Sequence, residues 1–219
     1  MKKIYIFSAG PGGRDVLRLI EDINDVSPTW EVMGFVENDE ELIGTVIDDL
    51  NVFSLNDVPK SSDFYAICGV QDPYLRRRIV YNEIRAKGYN LATLVHPNIV
   101  KAKDFTPREG TMIFSSVNIS YNVNVGKCVL VSFNSLIGHD GEIGDFSSIM
   151  STAVINGKCR VGKNSIIGSA SVIHPNVHIG NDCVVGMGTS LFNDIVDGKS
   201  VVDLPKKLIR DRVNKEYSK

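Results

Sequence analysis

His139 and Asp140 stand side by side in Ile137-Gly138-His139-Asp140-Gly141, and no other pair in the chain is better suited to acid–base chemistry. A carboxylate beside an imidazole holds it in one tautomer and makes it more basic, as a general base near neutral pH requires. A solvated surface histidine with an acidic neighbour has the same sequence signature, so the pair alone leaves both readings open. The other candidates are weaker. His174 and His178 are four apart, a spacing that suits a metal pair on a helix, but their segment has no helical period and no metal site is expected. Cys68, Cys128, Cys159 and Cys183 show neither metal-ligand spacing nor a disulfide framework and are expected to be reduced thiols of a cytoplasmic protein. The run Arg76-Arg77-Arg78 is expected to be a solvated helix face.

A second cluster lies near the amino terminus. The turn Ala9-Gly10-Pro11-Gly12-Gly13 separates a β-rich run, Lys3 to Ser8, from Val16, Leu17, Leu19, Ile20 and Ile23 at helical spacing. Such a turn gathers backbone N–H groups and a helix N-terminus at one spot, which suits a phosphate, although a purely structural tight turn has the same composition. It lacks the spacing of a dinucleotide fingerprint, so a nicotinamide cofactor is not supported. Further strands are expected over Glu31–Val36, Phe64–Cys68 and Leu91–Val95, with a basic helix from Leu75 to Lys87 that stops at Gly88. Alternating strands and helices imply a short parallel sheet with helices on its faces, Rossmann-like in outline.

The elements that must carry His139 follow from one period. Fourteen aliphatic residues recur every six positions from Ile113 to Leu191 without a slip. Four places after each stands a residue that is nearly always small or β-branched, from Val117 to Ile195, and the place directly after each is often glycine. Three six-residue faces make one triangular coil of eighteen residues, stacked on the next at about 4.8 Å. Neither a helix nor a hairpin has this period, whereas a hexapeptide β-helix does. The glycines are expected at sharp corners, where a missing Cβ or a left-handed backbone is useful. Because aliphatic side chains fill the coil, chemistry belongs to the outer wall. His96-Pro97 marks the junction, giving expected units at 1–95, 96–200 and a capping tail at 201–219.

With 219 residues, 43% hydrophobic and 23% charged, the chain reads as a soluble globular protein of one or two domains. No apolar run approaches a membrane span, and a net charge of −2 argues against nucleic acid as the main partner.

The segment Cys128 to Ala153 resembles the active-site stretch of left-handed β-helix acetyltransferases that modify nucleotide-activated amino sugars, together with their sialic acid O-acetyltransferase relatives. The carrying residues are His139-Asp140-Gly141-Glu142-Ile143-Gly144-Asp145-Phe146, supported by the glycine-rich turn, Phe35-Val36-Glu37-Asn38, His96-Pro97 and Ile167 to Ile173. The resemblance implies left-handed winding and a homotrimer with acetyl-coenzyme A in the groove between neighbouring prisms. It also implies a role in bacterial surface-glycan biosynthesis. His139 would take the acceptor's proton and Asp140 would orient the imidazole. Gly157, one coil beyond His139, is the candidate backbone donor to the oxyanion. Asn156, Ser169, Ala170, Gly186 and Met187, along the same edge as His139, together with Gly168 would contact the pantetheine arm, and Lys206 with Lys207 would meet the coenzyme phosphates or belong to a charged solvated tail. Ser8, Gly10, Gly12, Gly13 and Arg14 would line the diphosphate pocket, with Glu37 and Asn38 facing base or ribose and Gly69 beside them. The expected reaction is N-acetylation of a nucleotide-linked amino sugar. A sugar O-acetyltransferase and a non-catalytic scaffold are the alternatives.

Three departures from the family pattern stand out. Gly12 and Ser148 occupy places where relatives carry histidines, and the usual family ending is reduced to Leu204-Pro205-Lys206-Lys207.

Overall fold

The computed structural model describes residues 1–203. Its amino-terminal sheet runs β3-β4-β2-β1-β5-β6. The strands are β1 (Lys2–Phe7), β2 (Trp30–Val36), β3 (Val46–Ile47), β4 (Leu50–Phe53), β5 (Tyr65–Cys68) and β6 (Asn90–Leu91). All pairings are parallel except β3 with β4. That small hairpin, turned by Asp48 and Asp49 in left-handed conformation, is not foreshadowed by any apolar pattern. Helix α1 (Pro11–Val26) starts with proline in its first turn and buries Val16, Leu17, Leu19 and Ile20, the face set by their spacing.

Two expected elements differ in form. The basic helix begins earlier, at Pro73, because the Asp72 side chain accepts from Leu75 N at 2.8 Å and caps it. Regular helix α2 (Pro73–Ile79) then gives way to a π-helical turn, Val80–Ile84. The expected strand Leu91–Val95 is divided: β6 closes the amino-terminal sheet, while β7 (Leu94–Val95) pairs with Met112–Ile113. The solenoid's hydrogen bonding therefore begins two residues before the junction expected at 96.

Beyond the junction the chain is a three-faced parallel β-solenoid. The first face stacks β7, Met112–Ile113, Leu130–Val131, Ser148–Ile149, Ile166–Ile167, Val184–Val185 and Ser200–Val201. The second stacks Val100–Lys101, Asn118–Ile119, Leu136–Ile137, Val154–Ile155, Val172–Ile173 and Ser190–Leu191. The third holds Asn124–Val125, Glu142–Ile143, Arg160–Val161 and His178–Ile179. All fourteen aliphatics of the repeat are buried, each stabilising the stack by about 1.5–3 kcal/mol. Buried hydroxyls in the small-residue register satisfy corner carbonyls: Ser147 Oγ donates to Gly162 O at 2.6 Å and Ser165 Oγ to Gly180 O at 2.9 Å.

The corner glycines serve a different purpose from the one expected. Left-handed backbone falls three places after every aliphatic but Leu191, at Asn122, Asn134, Asp140, Phe146 and their equivalents. The glycines directly after the aliphatics have no positive φ. They are needed for clearance, since a Cβ on Gly144 would stand 2.6 Å from Gly162 C of the next coil.

The amino-terminal sheet sits against the first face. Ala9, Val16, Leu19 and Ile20 share a buried cluster with Met112, Phe114 and Leu130, and Tyr5, Phe7 and Val80 share another with Cys128 and Phe146 at the third-to-first edge. Arg76, expected in solvent, is 1% exposed and lies in this joint. Its guanidinium donates to the carbonyls of Val70, Gln71, Cys128, Phe146 and Ser147 and to Ser148 Oγ, so every face of the buried cation is solvated by protein. Burial pulls its pKa down to about 10, which leaves it charged at neutral pH.

Candidate active site

His139 stands at the edge between the second and third faces. Ile137 turns inward, and Gly138 passes too close to Asn156 and Gly157 of the next coil for any Cβ. Asp140 then takes the left-handed conformation, φ 58°, which a short polar residue tolerates. This reversal returns its carboxylate to the imidazole: His139 Nδ1 lies 2.8 Å from Asp140 Oδ2. Asp140 Oδ1 accepts from Asn122 Nδ2 at 2.6 Å, and the Asp140 N–H donates to Tyr121 O at 3.1 Å. The hydrogen bond from His139, then that from Asn122, holds the Asp140 carboxyl below its ordinary value. An ionised Asp140 must accept, so the neutral imidazole carries its proton on Nδ1 and keeps Nε2 as a base.

The ring is enclosed on both faces by residues one coil away. Tyr121 stacks on it with centroids 5.3 Å apart and planes at 11°. On the far side lies Gly157, where a Cβ would stand 2.7 Å from His139 Cε1. Gly157 N–H donates to no group among the described residues, while its carbonyl accepts from Asn176 N at 3.1 Å. The His139 side chain is 42% exposed, so its free edge is open to a ligand. A groove of about 490 Å³ runs past it, lined among others by Ser120, Asn156, Gly157 and Pro175.

Of the other expected cofactor contacts, only Asn156 shares this edge, with its side chain donating to Ile173 O at 2.7 Å. Gly168, Ser169, Ala170, Gly186 and Met187 lie at the edge between first and second faces. The two groups are thus separated by the width of the second face, which corrects their expected placement on one edge. The reason is arithmetic: 139 and 157 follow second-face strands, whereas 169 and 187 follow first-face strands. Gly168 is tight for a packing reason, a Cβ there falling 2.6 Å from Met187 N. Lys206 and Lys207 lie outside the described residues.

The amino-terminal candidates converge at the carboxyl ends of β1, β2 and β5. Ser8 has φ 104°, and its hydroxyl accepts from Gly10 N at 3.3 Å. Gly12 and Gly13 pack backbone to backbone against Gly69, whose Cβ would lie 2.7 Å from Gly13 Cα. Glu37 accepts from Ala9 N at 2.9 Å and from Asn38 N at 2.8 Å, so it braces the turn. Asn38 Nδ2 donates to Glu83 Oε1 at 3.1 Å. Arg14 leaves the cluster, donating two hydrogen bonds to Asp48 at 2.7 and 2.9 Å.

Tyr121, Asn122 and Arg76 are the residues that reading the sequence overlooked. Counting back eighteen from His139 and Asp140 gives the first two. Arg76 lies on the stripe Pro73, Arg76, Ile79 that α2 buries. Ser148 is fully buried between Arg76 and the Gln71 carbonyl, on a first-face strand away from His139's edge.

Among the described residues no group of three or more His, Cys, Asp or Glu side chains is gathered as a metal site, and no helix is long and apolar enough to cross a membrane. His174 lies at a corner and His178 on the third face, apart from each other. All four cysteines are free and buried, and burial pushes Cys68 up to about 12 and Cys128 up to about 11, which removes them as nucleophiles.

The model of the GMPPB C-terminal domain family matches residues 108–218. The chain belongs to that family. Among curated relatives, the GDP-perosamine N-acetyltransferase of Escherichia coli O157:H7 is 27% identical over 156 residues, covering 69% of each chain. Among solved structures, a mutant perosamine N-acetyltransferase from Caulobacter crescentus in complex with CoA and GDP-perosamine superimposes with TM-score 0.81 at 19% identity, over 95% of this chain and 97% of that one. The acetyltransferase domain of PglB from Neisseria gonorrhoeae, in complex with acetyl coenzyme A, superimposes with TM-score 0.80 at 23% identity, over 91% and 95%. These two share the fold over more than nine-tenths of this chain.

Proposed function

We propose that this protein transfers an acetyl group from acetyl-coenzyme A to the amine of a nucleotide-linked amino sugar, in the cytoplasm, for bacterial surface-glycan biosynthesis. The observation that carries the reading is an imidazole whose Nδ1 is fixed by Asp140 and whose Nε2 is left free at a groove beside the N–H of Gly157, which has no partner among the described residues. The activity of the relatives, N-acetylation by the Escherichia coli and Caulobacter proteins, favours an amine over a hydroxyl acceptor.

The residues fit the task. A narrow groove floored by glycine and serine admits a thin pantetheine arm, and acetyl-coenzyme A supplies a thioester as the activated acyl group. His139 Nε2 takes the amine proton as the N–C bond forms and the C–S bond breaks, then returns it to the departing thiolate. Gly157 N–H stabilises the charge that develops on the acetyl oxygen. Ser8, Gly10, Gly12 and Gly13, with the N-terminus of α1, hold the diphosphate, and Glu37, Asn38 and Gly69 border the nucleoside. Gly168, Ser169, Ala170, Gly186 and Met187 guide the coenzyme along the neighbouring edge, and Lys206 meets its phosphates.

A homotrimer completes the site. The glycine-rich turn belongs to a sheet packed on the first face, whereas His139 occupies the edge opposite that face. This placement on opposite sides of the prism favours a neighbour's pocket serving each His139. In this reading residues 1–95 bind the nucleotide sugar and 96–200 carry the chemistry, while the expected cap at 201–219 lies, from residue 204 on, outside the described residues.

Release of coenzyme A thiol, followed against a panel of nucleotide amino sugars with GDP-perosamine first, tests the reading. Turnover with an amine-bearing acceptor supports it. Turnover only with hydroxyl acceptors would replace it by O-acetylation, and none at all would leave the scaffold alternative.

A further inference from the structure

Tyr121 has no place in the repeat's packing. Its aliphatic neighbours Ile119 and Val125 fill the core, yet Tyr121 itself is 60% exposed and an aromatic there covers nothing apolar inside. What it covers is His139. The two rings are nearly parallel, 11° between planes and 5.3 Å between centroids, close to the rise of one coil. The same backbone segment is tied to the same pair, since Tyr121 O accepts from Asp140 N at 3.1 Å and Asn122 Nδ2 donates to Asp140 Oδ1 at 2.6 Å. With Gly157 against the opposite face, the imidazole is clamped between coils and keeps one free edge, that of Nε2.

We infer that Tyr121 is a positioning residue, holding the His139 ring plane so that Nε2 points along the groove. An imidazole fixed only through Nδ1 can still swing about its Cβ–Cγ bond, because the Asp140 carboxylate follows it. The stacked ring removes that freedom, and it does so through its face, not its hydroxyl. The inference rests on His139 being the base in the proposed acetyl transfer.

Two measurements on wild type, Tyr121→Phe and Tyr121→Ala decide it. The chain has four histidines, so a spectrum selectively labelled at histidine rings holds few signals, and the His139 signal is the one lost in His139→Asn. Stacking shifts the His139 ring protons upfield in wild type and Tyr121→Phe, and the shift disappears in Tyr121→Ala. In turnover assays Tyr121→Ala lowers kcat by about tenfold to a hundredfold, the scale of a misplaced catalytic group, with KM for both substrates unchanged. Tyr121→Phe, which keeps the ring, recovers most of kcat. An unchanged ring shift in Tyr121→Ala, or a lost shift with unchanged kcat, would overturn the inference. A wild-type protein with no turnover on any acceptor would sink the acetyl-transfer reading instead, and the ring shift alone would then decide whether Tyr121 orders the imidazole.

Discussion

Asp140 Oδ2 reaches His139 Nδ1 at 2.8 Å because Asp140 itself is left-handed, with φ 58°. The corner that every coil needs is here the device that turns a carboxylate back onto its preceding neighbour. Asparagine tolerates the same backbone but its amide cannot serve as a charged acceptor. Asp140→Asn is expected to keep the fold and lower kcat by about tenfold or more through loss of the fixed tautomer, checked by turnover beside an unchanged circular dichroism spectrum.

The same contact has a pH signature. The Asp140 carboxyl is held below the usual carboxylate range because His139, then Asn122, donates to the charged form. A depressed folded-state value means that the contact is present above the ordinary carboxylate range and is lost as pH falls through the lowered value. Carboxyl-carbon titration should find the Asp140 midpoint below that of an ordinary aspartate, and the midpoint should rise in Asn122→Ala.

Gly157→Ala is expected to retain the solenoid, since Gly157 has no positive φ. The new Cβ has no room beside the imidazole, being 2.7 Å from Cε1, so His139 must rotate away. A fall in kcat of about a hundredfold, the scale of a misplaced reacting group, at nearly constant melting temperature is the outcome to look for.

Arg76 is a stability residue of the joint. Arg76→Met leaves the buried carbonyls of Cys128 and Phe146 without their donor, while Ser147 O keeps Leu130 N and Gln71 O keeps Ser148 Oγ; at about 1–3 kcal/mol for a single unsatisfied group the loss should be several kcal/mol. Urea denaturation measures it. Arg76→Lys should recover only part, because an ammonium has three donors against the guanidinium's five.

Inter-subunit assembly predicts complementation. Gly12→Ala closes the acceptor turn, where a Cβ would collide with Gly69 O, and His139→Ala removes the base. Each homotrimer should be inactive, and mixed trimers formed by refolding the two together should regain activity. Sites built within one chain would regain none.

The solenoid was legible because its period is a packing requirement: every sixth side chain must fill the triangle, and all fourteen do. The His139–Asp140 pair was legible because nothing in the repeat calls for it. The role of the corner glycines was not, since composition cannot distinguish a left-handed residue from one lacking room for a Cβ. The edge of Ser169 and Met187 was legible too, since neither lies a whole number of eighteen-residue coils from His139, and placing them beside it ignored that count. Arg76 stayed hidden among three arginines, since its burial depends on carbonyls seventy residues away in the sequence, at Phe146 and Ser147.

The most direct measurement is coenzyme A thiol release by His139→Ala beside wild type, with acetyl-coenzyme A and the nucleotide amino sugar that wild type uses best. Turnover should fall by about a hundredfold to ten-thousandfold, the range attributed to general-base catalysis, while oligomeric mass and circular dichroism stay the same. Turnover within a few-fold of wild type would contradict His139 as the base.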